Sequence, residues 1–201
     1  MKKVNYYLLA FIFLFNLQIN GQGKYNIGDK ISTFSLTNVV NNSNVNLSDF
    51  GSSKALVLIF TNTECPYSKL YEDRLINMAN TFKDKNLEFV LVNPTPVSTS
   101  DNLYQLMSKR AKEKNYPFPF LADSKASISN LFGATKTPEA FVLKSSNGSF
   151  YLAYKGAIDD NPQVANDVTH FYLKDALNDI IANQSVKISE KRPSGCMIPV
   201  N

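Results

Sequence analysis

The stretch that decides the fold is Ala55-Leu56-Val57-Leu58-Ile59-Phe60, followed by Thr61-Asn62-Thr63-Glu64-Cys65-Pro66-Tyr67-Ser68. Six apolar residues in a row, without alternation, read as a β-strand covered on both faces. Pro66 suits the first turn of a helix, where its missing N–H costs nothing. Tyr67, Leu70, Tyr71, Leu75, Met78, Ala79 and Phe82 then recur at spacings of three and four, which predicts a long amphipathic helix. Cys65 therefore sits at the junction, beside unpaired backbone N–H groups at the positive end of the helix dipole. That position favours a thiolate and lowers a thiol pKa from its usual ~8.5. The competing reading is a buried cysteine acting as a small hydrophobe.

Working outward, Phe34 to Leu47 contains two short extended pieces separated by a turn at Asn41-Asn42-Ser43-Asn44. Leu87 to Val92 is a second buried strand, closed by Asn93-Pro94. Leu103, Leu106, Met107, Arg110 and Ala111 mark another helix. Phe118 to Leu121 is a short strand interrupted by Pro119, and Ala126 to Phe132 a short helix stopped by Gly133. Glu139 to Leu143 and Ser149 to Tyr154 flank Asn147-Gly148, a hairpin signal. Leu173, Ala176, Leu177, Ile180 and Ile181 line one face of a last helix, which Asp167 or Thr169 is placed to cap. Parallel strands joined by helices, then a hairpin, predict an α/β fold: a central mixed sheet with helices on both faces.

The whole chain has 201 residues, 44% of them hydrophobic and 19% charged, enough for one packed domain. A net charge of +4, dispersed along the chain, does not suggest a nucleic-acid partner. Two cysteines and one histidine exclude a four-ligand zinc site and a disulfide-dense scaffold. A metal would need Cys65, Cys196 and His170 to converge, and neither a metal nor another cofactor is expected. Residues 1–21 open with Lys2 and Lys3 and run into an apolar stretch from Tyr6 to Phe15, the pattern of a secretory signal peptide. The apolar run is about half of the ~20 residues a membrane span needs. The expected organisation is a leader over 1–21, a domain over 22–185 and an extended tail over 186–201 carrying Cys196. Export to a periplasmic or secreted location would let thiols pair and stay paired.

The order of strand, Thr63-Glu64-Cys65-Pro66-Tyr67-Ser68, long helix and then Lys136-Thr137-Pro138 before a later strand resembles the thioredoxin fold. More narrowly, the chain resembles the peroxiredoxin-like redoxins of the alkyl hydroperoxide reductase and thiol-specific antioxidant superfamily. The supporting stretches are Tyr71-Glu72-Asp73-Arg74-Leu75, Tyr116 to Leu121, Gly156-Ala157-Ile158-Asp159-Asp160 and Gly195-Cys196. The resemblance implies Cys65 as nucleophile, Pro66 as helix opener and a cis Thr137-Pro138 bond lying against the sulfur. There the backbone would pair with a substrate strand. Where peroxiredoxins carry a threonine and a proline, three and seven residues before the cysteine, this chain holds Asn62 and Leu58. Asn62, Thr61 or Thr63 could donate the substrate hydrogen bond instead, and Arg74 or Arg110 could supply charge. Ser68 stands where thioredoxins have a second cysteine.

That leaves Cys196 as the one partner thiol. The resemblance implies a resolving cysteine on a C-terminal tail, in some relatives across a homodimer, that captures sulfenic acid on Cys65. A permanent Cys65–Cys196 bridge, and a Cys196 on a mobile tail left free or bonded to something outside, are the two other outcomes. His170, Asp159 and Asp160 are candidates to border the site as proton acceptors or substrate contacts, or are capping and solvent-exposed groups. The function implied is an exported thiol oxidoreductase acting on peroxide or a protein disulfide and recharged by a thiol reductant. A periplasmic thiol-disulfide oxidoreductase without peroxidase activity and a non-catalytic binding module are the alternatives. The mature protein should begin at or near Gln22. N-terminal sequencing of protein from its natural host checks this, and a retained Met1 would refute it.

Overall fold

The structure, a computed structural model, describes residues 24–199, so the predicted leader lies outside the described residues. Its centre is β3, Ala55–Phe60, in which every side chain has zero exposure. Ala55, Val57 and Ile59 enter one core cluster and Leu56, Leu58 and Phe60 the other, so successive residues feed opposite faces of the sheet. A strand that must be apolar on both sides reads as an unbroken run, which is why the alternation is invisible in its sequence. Around it are β1 (Ser35–Asn38), β2 (Asn44–Asn46), β4 (Leu87–Asn93), β5 (Phe120–Ala122), β7 (Glu139–Ser146), β8 (Ser149–Gly156) and β9 (Glu190–Lys191). They form one sheet in the order β2-β1-β5-β4-β3-β7-β8-β9. The pairs β3–β4 and β4–β5 are parallel, whereas β3–β7 and the β7–β8 hairpin are antiparallel. At the hairpin tip Asn147 and Gly148 have φ of 49° and 72°, the paired positive values a two-residue turn of this hand requires.

Helices α1 (Pro66–Phe82), α2 (Asn102–Glu113) and α4 (Tyr172–Ile181) pack on the face of Ala55, Val57 and Ile59. Helix α3 (Ser127–Phe132) covers the other face with the N-terminal segment, through Ile128, Phe132, Tyr25 and Phe34. Phe60, Phe132 and Phe141 meet there edge to face or tilted, 5.3 to 6.1 Å between ring centres.

Three local expectations are corrected. The buried stripe of α1 is Tyr71, Glu72, Leu75, Ala79 and Phe82, while Leu70 is exposed. The face turns toward Glu72 because that carboxylate has partners: Arg110 reaches it at 2.5 to 3.2 Å from two guanidinium nitrogens, and the Tyr116 hydroxyl at 3.0 Å. On α2, Leu106 is exposed and Tyr104 is buried instead. Neither Asp167 nor Thr169 caps α4. Its N-cap is Phe171, the Leu173 N–H is taken by the Ile158 carbonyl at 3.0 Å, and Thr169 binds Asp160.

The tail is extended and pairs with two strands of the domain. Strand β9 adds in parallel to β8, and Gly156 is what lets it approach: a Cβ there would stand 1.7 Å from the Lys191 carbonyl oxygen. Further on, β10 (Cys196–Met197) pairs antiparallel with β6 (Lys136–Thr137). Among the described residues, no helix is long and apolar enough to cross a membrane.

Glu72→Ala should destabilise the fold by about 2 kcal/mol. This sits below the usual cost of breaking a buried ion pair, because Arg110 keeps 33% of its side chain in water. Urea unfolding of the variant against the unaltered protein measures it.

Candidate active site

Five residues after β3, Cys65 is the N-cap of α1 and Pro66 its first residue. The turn between them is built by Asn62. Its backbone carbonyl accepts the Cys65 N–H at 3.1 Å, and its side-chain oxygen accepts the Glu64 N–H at 2.8 Å. Its amide nitrogen donates to Thr95 Oγ1 at 3.1 Å, and its own N–H goes to Ser68 Oγ at 3.3 Å. Asn62 thus shapes the loop. The neighbouring Thr63 is buried and its hydroxyl has no hydrogen-bond partner among the described residues. Leu58 lies inside the central strand, where a proline would remove a ladder N–H. No acidic residue occupies the first turn of α1, so nothing within it offsets the positive helix end beside the sulfur.

Cys65 itself is 4% exposed and is joined to Cys196 in a disulfide closed within one chain, with Cα atoms 6.0 Å apart. This removes the reading of Cys196 as an unpaired thiol, and no second copy is needed to complete the pair. The Thr137-Pro138 bond is cis, and the Thr137 carbonyl oxygen lies 3.2 Å from Cys65 Sγ. A disulfide sulfur carries no hydrogen, so this is close packing and not a hydrogen bond. Cys196 lies directly opposite Thr137 in the β6–β10 ladder. Cys65, Pro66, Thr137, Pro138 and Cys196 are therefore one constellation.

The other candidates lie outside it. Arg74 donates to Asp159 at 2.9 Å and to the carbonyls of Asn161 and Pro162, and Tyr71 donates to the same carboxylate at 2.5 Å. Burial, and then that bond, push the Tyr71 phenol up, holding it protonated. Arg110 is held by Glu72. Both guanidiniums are paired with carboxylates, while the buried Arg74 Nε has no partner among the described residues. Asp160 is tied to Thr169, whose hydroxyl and N–H draw its carboxyl down to about 2. His170 is exposed and stacks on Tyr172 at 5.9 Å. A cleft of about 230 Å³ lies along the far half of α1, lined by Arg74, Met78, Phe82, Ile158, Val168 and Phe171, away from the disulfide. Among the described residues no three His, Cys, Asp or Glu side chains converge to hold a metal.

One residue that pattern reading missed is Glu139. Its Oε2 accepts the Thr135 and Lys136 N–H groups at 2.7 and 3.0 Å and the Thr135 hydroxyl at 3.2 Å, fixing the segment that leads into Thr137-Pro138. A carboxylate directly after that dipeptide was the available signal. Burial raises its pKa against the lowering effect of those bonds.

The AhpC/TSA family matches residues 27–159, two thirds of the chain, including the turn, Cys65 and Thr137-Pro138. The chain belongs to the AhpC/TSA family. It is accordingly a thiol-dependent oxidoreductase. An uncharacterized conserved protein from Geobacillus kaustophilus is similar at 28% identity and a TM-score of 0.78, over 88% of this chain and 93% of that one. The peroxidoxin BcpB of Mycobacterium tuberculosis shares the fold at 16% identity and a TM-score of 0.54, over 78% and 94% of the two chains. A Chlorobium tepidum structure named for the thiol:disulfide interchange protein DsbE does so at 22% and 0.56, over 80% and 98%. At those identities the last two speak to a thioredoxin-like fold alone. No curated protein matches the chain.

Glu139 gives this AhpC/TSA member a pH signature. An acid with a raised native pKa favours the fold below its unfolded value of 4.5, and that contribution fades as pH rises through the native pKa. Glu139→Gln removes the effect. The melting temperature of the variant relative to the unaltered protein should therefore be higher at about pH 7 than at about pH 4.

Proposed function

We propose that this protein exchanges electrons between its Cys65–Cys196 pair and the disulfide of a protein client, in an extracytoplasmic compartment. The observation that carries the reading is the placement of Cys196: it occupies the β6 edge beside Pro138 while bonded to Cys65. A site that accepts a strand and a disulfide there is built for strand-borne sulfur. Peroxide chemistry needs several donors aimed at a closed pocket; Asn62, Arg74 and Arg110 are engaged in other hydrogen bonds, which leaves the buried, unpartnered Thr63 hydroxyl as a donor for it.

In the reduced protein the Cys65 thiolate, favoured by the start of α1, attacks one sulfur of the client disulfide. A Cys65–client bond forms and the client's second sulfur leaves as thiolate. The Cys196 thiolate then attacks Cys65, releasing the client dithiol and restoring the Cys65–Cys196 bond. Two electrons pass from protein to client, and a thiol reductant returns them by the reverse exchange. Either direction is open to the pair, set by its potential against its partners. The family match supports peroxide as the second reading. Export is supported by the lysine-led apolar leader over residues 1–21 and by the persistence of paired thiols outside the cytosol.

Reduced protein should alkylate at Cys65 faster than at Cys196 near neutral pH. Mass spectrometry should show the Cys65–Cys196 bond reforming with an equimolar dithiol-forming disulfide substrate far faster than with equimolar hydrogen peroxide. Cys65→Ser should abolish the exchange, and Cys196→Ser should accumulate the Cys65–client mixed disulfide. Faster oxidation by peroxide would replace this reading with a peroxidase. A reduced Cys65 inert to both reagents would make the protein a binding module.

A further inference from the structure

The tail reveals more than a partner thiol, because it shows what the β6 edge accepts. Gly195, Cys196, Met197 and Ile198 lie extended along it: Cys196 is opposite Thr137, Met197 opposite Lys136, and the Ile198 N–H donates to the Thr135 carbonyl at 3.0 Å. Each position meets a different environment. A Cβ at Gly195 would stand 2.2 Å from the Thr137 carbonyl oxygen, 2.7 Å from its carbon and 3.2 Å from the Pro138 nitrogen. All three are backbone atoms in a segment that Glu139 clamps, so no side chain can swing aside to make room. Gly195 is thus demanded by space. Met197 points outward and is 67% exposed. Ile198, two residues after the cysteine and on its side of the strand, is 7% exposed within the cluster that holds Phe60, Phe132 and Phe141.

We propose that the β6 edge is sequence-selective for the strand it binds: glycine immediately before the cysteine, any residue after it, and a branched aliphatic residue next. This rests on the disulfide-exchange reading above and names its client class: protein segments that present Gly-Cys-x-Ile or Gly-Cys-x-Val in extended form. Backbone pairing holds any strand, whereas the forbidden Cβ and the aliphatic pocket decide which one. The chain's own tail is the resident occupant, so a client must also displace it.

The test uses the full chain carrying Cys196→Ser, with Cys65 held as a mixed disulfide with 5-thio-2-nitrobenzoate. A peptide of residues 194–199 is added. Its thiolate attacks Cys65, a Cys65–peptide disulfide forms, and the coloured thiolate leaves, reporting the rate. Peptides with valine for the glycine, or serine for the isoleucine, should react about tenfold more slowly or worse, the scale at which one misfit group is discriminated in a packed site. Dithiothreitol, which presents no strand, sets the intrinsic rate. Adding Gly195→Val to the protein should evict the resident tail and speed exchange with the unaltered peptide by a similar factor. Equal rates for the three peptides would overturn the selectivity, and an unchanged rate with Gly195→Val would overturn the resident-occupant claim. If Cys65 takes no label, or dithiothreitol cannot remove it, the exchange reading itself fails. In that case fluorescence anisotropy of labelled peptides carrying serine for cysteine still decides the inference: preference for glycine and isoleucine upholds it, and equal affinity refutes it.

Discussion

Burial of β3 on both faces is the constraint from which the remaining architecture follows. Its side chains alternate between two cores, so helices must cover one side and α3 with the N-terminal segment the other. Both of its edges are filled, by β4 in parallel and β7 in antiparallel. A strand so enclosed has little freedom to slide, since a one-residue slip would exchange the two cores. Its end is therefore a fixed point. The sulfur five residues later inherits that fixity, and Pro138, immediately before β7, approaches from the side of the neighbouring strand.

Two ion pairs refine the same layout. Glu72 and Arg74 lie two residues apart on α1, yet they turn to different partners, Arg110 on α2 and Asp159 after β8. Each tethers the helix that Cys65 caps to another element. Both guanidiniums are thereby tied into the scaffold, and Cys65 stands at the N-terminus of α1.

Much of this was legible in the residues. The unbroken apolar run, the proline after Cys65 and Asn147-Gly148 each have one dominant physical meaning, and each element stands where that meaning puts it. The pairing of Cys65 with Thr137-Pro138 was legible through family resemblance, because proximity across 72 residues leaves no local trace. What escaped reading is equally specific. Leu70 lost its place to Glu72 because the partner that makes a buried carboxylate tolerable lies 38 residues away. Two-residue strands such as β9 and β10 are too short to show a period. The loop role of Asn62 depends on Thr95, 33 residues on, so its residue type alone pointed equally to substrate binding.

The bridge also changes the chain's topology. It joins residues 131 positions apart, so the oxidised molecule is a covalent ring from which the N-terminal segment, carrying β1, β2 and the central strand β3, leaves at Cys65 and a few residues leave at Cys196. A protease that cuts any one peptide bond between Cys65 and Cys196 opens the ring without dividing the molecule. Both pieces stay linked through sulfur, able to remain seated against each other, until a reductant arrives. Redox state thus decides whether a single nick is a scar or a severance.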